Sequence, residues 1–365
     1  MFMPSLYVAQ LRHAKHYEVV LRQANALYQQ GGKALMYALN LFDLEWENIQ
    51  QGQAWAATFS EKDSKATGLC NDYAYAGVYL LALRQHPRER IRWLEAALSA
   101  ARLLKNREAE AAHLGNLGVD YKNTSDLPRA IDCHNQSLTI AREINNPRVE
   151  ATALGNLGEV YRILGDFWRA AEYHKERLKI AEAICDPLAM GQALGNLAVA
   201  YKNMGDVQSA IQLLERRLEI AREIGDTQGE GKALTNLGNV YAEVDGYKKA
   251  IGYWNQGLQI FREINDRQSE GKTLSSLGNA YAELGNPQRA FEHWELALKI
   301  LQEVNDQIGT AHVSLNMAKM YSLMGDLHGA LHHAEYAVQV FSQAGIEQFA
   351  REAQYLIQQI RARVR

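Results

Sequence analysis

The sequence predicts an all-α protein, a right-handed superhelical solenoid of antiparallel helix hairpins, on three observations. First, Leu114-Gly115-Asn116-Leu117-Gly118, Leu154-Gly155-Asn156-Leu157-Gly158 and Leu194-Gly195-Asn196-Leu197 recur at an offset of 40, with weaker copies from Leu234, Leu274 and Ser314. Tyr121, Tyr161, Tyr201, Tyr241, Tyr281 and Tyr321 keep that register, as do Ala130, Ala170, Ala210, Ala250, Ala290 and Ala330. Second, the apolar spacing is helical in both halves of a unit: Leu154, Leu157 and Tyr161, then Ala170, His174, Leu178 and Ala181, each fall on one face of a 3.6-residue turn. Third, Gly165-Asp166, Gly205-Asp206, Gly285-Asn286 and Gly325-Asp326 separate the halves. Glycine accepts the left-handed conformation that ends a helix, and Asp or Asn caps the next.

In chain order, residues 1–65 read as an N-terminal helical segment and 66–105 as a degenerate hairpin, because Leu98, Ala101 and Glu110 align with Leu138, Ala141 and Glu150. Residues 106–345 hold six 40-residue units, and 346–365 a capping helix from Glu347 to about Arg363. About 17 helices are expected, and nothing reads as a strand. Between units, Asn146-Pro147 and Asp186-Pro187 set proline in the first helical position, where its missing N–H costs nothing. The six prolines, at 4, 87, 128, 147, 187 and 287, all fall at or near predicted helix starts. Average usage would give about 18, so disordered and collagen-like classes drop out.

The mid-helix glycines require a cause, since each costs about 0.5–1 kcal/mol relative to alanine. Gly118, Gly158, Gly238 and Gly278 lie beside the core leucine, where the partner helix is expected to approach at its Ala130-type position. Gly115, Gly155 and Gly195 lie about 100° further round and read as groove glycines.

Charge and composition name no partner. With 39 basic and 42 acidic residues the net charge is −3, which offers no global field for nucleic acid or an anionic membrane. The longest apolar run, Ala74 to Leu83, is half the roughly 20 residues of a membrane helix. Cys70, Cys133 and Cys185 are odd in number and far apart, suggesting neither disulfides nor a zinc site. With no signal-peptide pattern at the N-terminus, a cytoplasmic location is expected.

No catalytic, cofactor or metal site emerges. Gly271-Lys272-Thr273 is a phosphate loop only if residue 266 is glycine, and it is Asp266. His328 and His332, with Glu335 nearby, have metal-ligand spacing but no third ligand motif, so they read as surface histidines. His134 and His174 are expected to pack between hairpins. The candidate site is a groove on the first helices: Asn116, Asn156, Asn196, Asn236 and Asn316 form a row broken by Ser276, each amide offering a donor and an acceptor to an extended peptide backbone. Lys122, Arg162 and Lys202 form a parallel basic row favouring an acidic segment, while Glu243 and Glu283 make the later groove acidic. A structural ladder between successive helices is the alternative role for the asparagines.

The pattern Leu-x-x-Leu-Gly-x-x-Tyr, then Gly-Asp/Asn, then Ala, then a Leu-x-Ile ending resembles the tetratricopeptide (TPR) repeat. The 40-residue spacing, with endings such as Ile220-Ala221-Arg222-Glu223-Ile224-Gly225-Asp226, is similar to the branch with kinesin light chains and the Leu-Gly-Asn repeat adaptors. That resemblance implies a non-catalytic scaffold binding a protein or extended peptide on a concave surface, with self-association through an exposed end left open. The segment Arg12-His13-Ala14-x-x-Tyr17, with Asp43-Leu44-Glu45-Trp46-Glu47-Asn48-Ile49 and Ala54-Trp55-Ala56, resembles the linker before TPR arrays in bacterial STAND-type NTPase regulators. It implies the alternative: the sensor arm of a signalling ATPase whose nucleotide-binding domain is not in this chain.

Overall fold

The computed structural model describes residues 6–244 and 246–364, and every regular element among them is a helix. Backbone contacts divide the chain into two compact units, 1–185 and 186–365. Pro4 lies outside the described residues, and the other five prolines each fall in the first or second position of a helix.

The first unit opens with α1 (Leu6–Gln30) and α2 (Gly32–Phe59), followed by α3 (Ser64–Ala76), α4 (Val78–Arg84) and α5 (Pro87–Leu103). Leu21, Phe42, Ile49, Tyr73 and Trp93 build their shared core, and the Tyr73 hydroxyl donates to the Ala14 carbonyl at 2.7 Å. Two hairpins complete the unit: α6 (Arg107–Asn123) with α7 (Leu127–Glu143), and α8 (Pro147–Ile163) with α9 (Phe167–Ala183).

The second unit stacks α10 (Pro187–Asn203) with α11 (Val207–Glu223), α12 (Thr227–Ala242) with α13 (Tyr247–Glu263), α14 (Arg267–Glu283) with α15 (Pro287–Glu303), and α16 (Gln307–Met324) with α17 (Leu327–Gln343). The last helix, α18 (Glu347–Val364), buries Ala350, Ala353 and Ile357 against the α16–α17 hairpin.

Eighteen helices are described where about 17 are expected. The extra one arises at Gly77, which the apolar run conceals. A Cβ there would lie 2.6 Å from the Leu21 side chain, so only glycine passes this crossing of α1, and the helix breaks. It restarts as α4 because buried Asn25 of α1 accepts hydrogen bonds from the amides of Tyr79 at 3.0 Å and Leu80 at 3.3 Å. That side chain supplies an N-terminal cap from another helix.

Helix ends follow one rule along the array. From α6 to α17, every helix except α13 starts on an Asp or Asn whose side chain accepts from the amide three residues on. The expected left-handed glycines appear at Gly165, Gly205, Gly285 and Gly325, and also at Gly225 and Gly345. Lys105, Ser125, Asn145, Cys185, Asn265 and Asn305 hold the same conformation without being glycine. The paired bonds that close the turn, such as Asp126 N–H to Tyr121 O at 2.8 Å and Ser125 N–H to Lys122 O at 3.0 Å, repay the strain. An L-residue in that region costs about 1–2 kcal/mol, more than the backbone freedom glycine loses. Lys105→Gly and Ser125→Gly are therefore each expected to stabilise the protein by about 0.5 kcal/mol. A urea midpoint that stays put or falls would show these turns unstrained.

Candidate functional site

The asparagine row sits on the first helices of the hairpins, with Ser276 taking its place on α14, and its members are half-buried. Asn116 and Asn156 belong to the first unit; Asn196, Asn236 and Asn316 to the second. Asn316 donates to the Asn279 side chain at 2.9 Å, so the structural ladder exists at that end of the row. The side chains of Asn156, Asn196 and Asn236 have no hydrogen-bond partner among the described residues. Their amides are available to a ligand.

The basic row is largely neutralised. Arg162 donates to both carboxylate oxygens of Glu159, three residues earlier, at 2.7 and 2.8 Å. Burial opposes ionisation of Glu159, yet the Arg162 bond, with Lys122 and His174 nearby, holds its carboxyl below the usual range. Lys202 bonds Glu243 at 2.6 Å. Glu243, one of the two acidic residues that polarise the groove in sequence, therefore cancels part of its positive charge in space. Lys122 alone of the three has no ion-pair partner among the described residues.

The glycines have different neighbours from those expected. A Cβ on Gly118, Gly158, Gly238 or Gly278 would lie within about 2.6 Å of a ring: His134, His174, Trp254 and Trp294 respectively. The close approach is to a side chain sixteen residues on, inside the same hairpin, rather than to the Ala130-type position. The two histidines accordingly pack against the first helix of their own hairpin. Trp254 and Trp294 donate their indole N–H to Asn239 at 3.0 Å and Asn279 at 2.9 Å. His134 and His174 have no partner, and burial lowers both imidazoles to about 4.

Gly155 and Gly195 are likewise not groove glycines. The Arg177 and Arg217 side chains lie over them, with guanidinium carbons 3.2 and 2.8 Å from the missing Cβ. Gly115 keeps an open face, its only close neighbour being the Ser137 hydroxyl at 3.8 Å.

The tyrosine register builds short stacks. Tyr161 lies between Arg169 (5.3 Å) and Tyr173 (5.4 Å), and Tyr241 between Lys249 (4.0 Å) and Tyr253 (5.4 Å). These rings fasten the two helices of a hairpin together.

A cavity of about 290 Å³ opens beside Asn116 in the first unit, floored by Leu81, Trp93 and Leu94 and bordered by Arg90 and Asn123. Arg90 donates through Nε to Asp120 at 2.7 Å and through Nη2 to the other carboxylate oxygen; Asp120 is only 1% exposed. The repeat register carries a signal for this pair that single motifs do not. Arg90 stands where later units have alanine, from Ala130 to Ala330, and Asp120 where they have Val160, Ala200, Val240, Ala280 and Met320. Two departures from an apolar register thus compensate each other in space.

No group of three or more His, Cys, Asp or Glu side chains that could hold a metal occurs among the described residues. His328 and His332 are exposed, and Glu335 pairs with Arg361 at 3.0 Å. Cys70 and Cys133 are buried, Cys185 is exposed, and burial pushes the Cys70 thiol up to about 12. No described helix is long and apolar enough to cross a membrane.

The tetratricopeptide repeat family matches residues 109–183, 189–263 and 269–343. No curated protein matches the sequence. Among solved structures, the chain is similar to a Rap protein complexed with Competence and Sporulation Factor, at 17% identity, TM-score 0.59, covering 96% of this chain and 98% of that one. It is also similar to a STAND protein with a tetratricopeptide repeat sensor from Pyrococcus horikoshii, at 16% identity and TM-score 0.60. That likeness covers 92% of this chain and 55% of the other. A third, BtubC from P. vanneervenii, is 20% identical with TM-score 0.54, covering 60% of this chain and 93% of that one. At these identities the likeness is one of fold.

Proposed function

Because the chain belongs to the tetratricopeptide repeat family, we propose that it is a non-catalytic scaffold that holds an extended protein segment against the first helices of its hairpins. One observation carries the reading: in the second unit Asn196 and Asn236 keep one register position on successive first helices, Asn156 holds the same register position in the first unit, and the three side chains spend no hydrogen bond on the described residues. An amide held half-exposed on a rigid helix can donate to a backbone carbonyl and accept from a backbone N–H. With Arg162 and Lys202 engaged, recognition rests on the backbone of the ligand, and Lys122 adds a local preference for an acidic side chain. The Rap protein of like fold, solved in complex with Competence and Sporulation Factor, supports partner binding as the use of this fold.

An array of immobilised extended peptides tests this. The variant Asn156→Ala/Asn196→Ala/Asn236→Ala is expected to lose at least about tenfold in binding, at about 0.5–1.5 kcal/mol per net hydrogen bond, with an unchanged melting temperature. Undiminished binding would remove the asparagine row from the site. A second reading, the sensor arm of a STAND-type ATPase, draws on the N-terminal linker motif and on the like fold of the archaeal STAND protein. It requires a P-loop in the same or a neighbouring reading frame.

A further inference from the structure

The cavity beside Asn116 has a cause in the sequence. At the register where the later hairpins carry a small buried alanine of the Ala130 type, the first hairpin holds Arg90. The broken helix widens the opening: α4 packs chiefly on α1, whose Leu21 lies against Gly77 at the break and whose Asn25 caps the restart, rather than on α5. Space is left between α4, α5 and α6, with an apolar floor of Leu81, Trp93 and Leu94.

At about 290 Å³ the space lies at the lower end of ligand pockets, which suits one side chain better than a whole small molecule. Arg90 uses two of its five N–H donors on Asp120. The pair is neutral overall, so its remaining donors suit a carbonyl better than a second carboxylate, which Asp120 repels. Asn116 is at once a wall of the cavity and the first member of the asparagine row. A segment lying along the row reaches the cavity without leaving the surface.

We propose that this cavity is the anchor pocket of the scaffold: it takes one large apolar side chain of the bound segment, while Arg90 and Asn116 hold the adjoining peptide groups. The proposal rests on the peptide-binding reading above and adds where the segment is gripped and by what chemistry. A single buried side chain in a central pocket commonly carries a large share of binding energy.

Saturation-transfer NMR with N-acetyl-L-leucinamide, N-acetyl-L-leucine and N-acetylglycinamide provides the test. The leucinamide is expected to bind with a Kd on the order of 1 mM, the free acid more weakly, and the glycine amide not at all. Ala82→Trp, on an exposed wall of the pocket, is expected to abolish the leucinamide signal and to reduce peptide-array binding at least tenfold, with the fold intact by circular dichroism. Equal signals from leucinamide and glycinamide, or a leucinamide signal that survives Ala82→Trp, would overturn the pocket. Array binding lost in the asparagine variant but kept in Ala82→Trp would overturn the anchor alone and leave the groove standing. Array binding unchanged in both variants would remove the groove reading as well.

Discussion

Lowering the pH from about 7 to about 5 is expected to destabilise residues 6–185 well before residues 186–364, because the three fully buried histidines all lie in the first unit. His113, His134 and His174 are at most 1% exposed, and burial lowers each to about 4 from an ordinary 6.5. His113 shares a 3.0 Å hydrogen bond with Asn71, while the other two rings have no partner. Lys122 lowers His134 further; Arg177 lowers His174 against an opposing pull from Glu159, and Arg162 adds a smaller downward one. Since the folded value is below the unfolded one, the unfolded chain takes up protons first as the pH falls. The stability is complete above about 6.5 and drains away down to about 4, at about 1.4 kcal/mol per pH unit per histidine. At pH 5 that is about 2 kcal/mol each.

In the second unit the same register holds Trp254 and Trp294, and His293, His312 and His333 are only half-buried, with smaller downward shifts. Paired carboxylates add their own losses only near and below pH 4, which leaves the interval from 6.5 to 4.5 to the histidines. Peptide-resolved hydrogen exchange at pH 5 should show residues 106–185 opening faster than residues 246–343. The variant His134→Phe/His174→Phe should flatten the dependence of melting temperature on pH, since the equivalent seats accept rings as large as indole. A wild type whose melting temperature is as steady as that of the variant would refute the assignment.

Gly278→Ala is expected to destabilise the protein by about 1–3 kcal/mol, although a mid-helix glycine-to-alanine change ordinarily gains about 0.5–1 kcal/mol. The steric term decides the sign. The new methyl would lie 2.5 Å from the indole nitrogen of Trp294, which is 2% exposed and bonded to Asn279, so the ring cannot withdraw without losing that bond. Trp294→Leu in the same background should recover part of the loss, because Ala198 and Leu214 already occupy the corresponding positions in one buried cluster. Urea midpoints of the two single variants and the double should give a coupling of about 1–3 kcal/mol. Additive effects, or a more stable Gly278→Ala, would break the argument.

Those two results turn on one correspondence along the array. Gly118 faces His134, Gly158 His174, Gly238 Trp254 and Gly278 Trp294, whereas Ala198 shares a cluster with Leu214 and Ala318 with Ala334. Glycine stands opposite every ring, and alanine opposite every aliphatic side chain. The letters were all legible, and so were hairpins, caps and repeat register, because these depend on residues a few positions apart. Which residue fills a glycine's gap depends on how two helices cross, and periodicity along one helix does not contain that angle. The same limit hid the Arg177 and Arg217 stems over Gly155 and Gly195. The break at Gly77 lay further out of reach, since its cause is Leu21 on another helix. Of the candidate site, the asparagine row could be read from its spacing. The pairing of Arg162 with Glu159 also lay within one helix at a spacing of three, whereas the Lys202–Glu243 pair and the cavity beside Asn116 required several elements in three dimensions.

The match between small and large residues across each hairpin also bears on how such an array evolves. Repeats multiply by unequal crossing-over, which joins the first helix of one copy to the second helix of another. A crossover that sets Gly278 opposite His174 makes a loose but passable hairpin; one that sets Ala198 opposite Trp294 makes a clash. The six hairpins therefore form a lineage with restricted exchange between members. Near-identical spacing can persist along it while the contents of each hairpin are inherited as a pair.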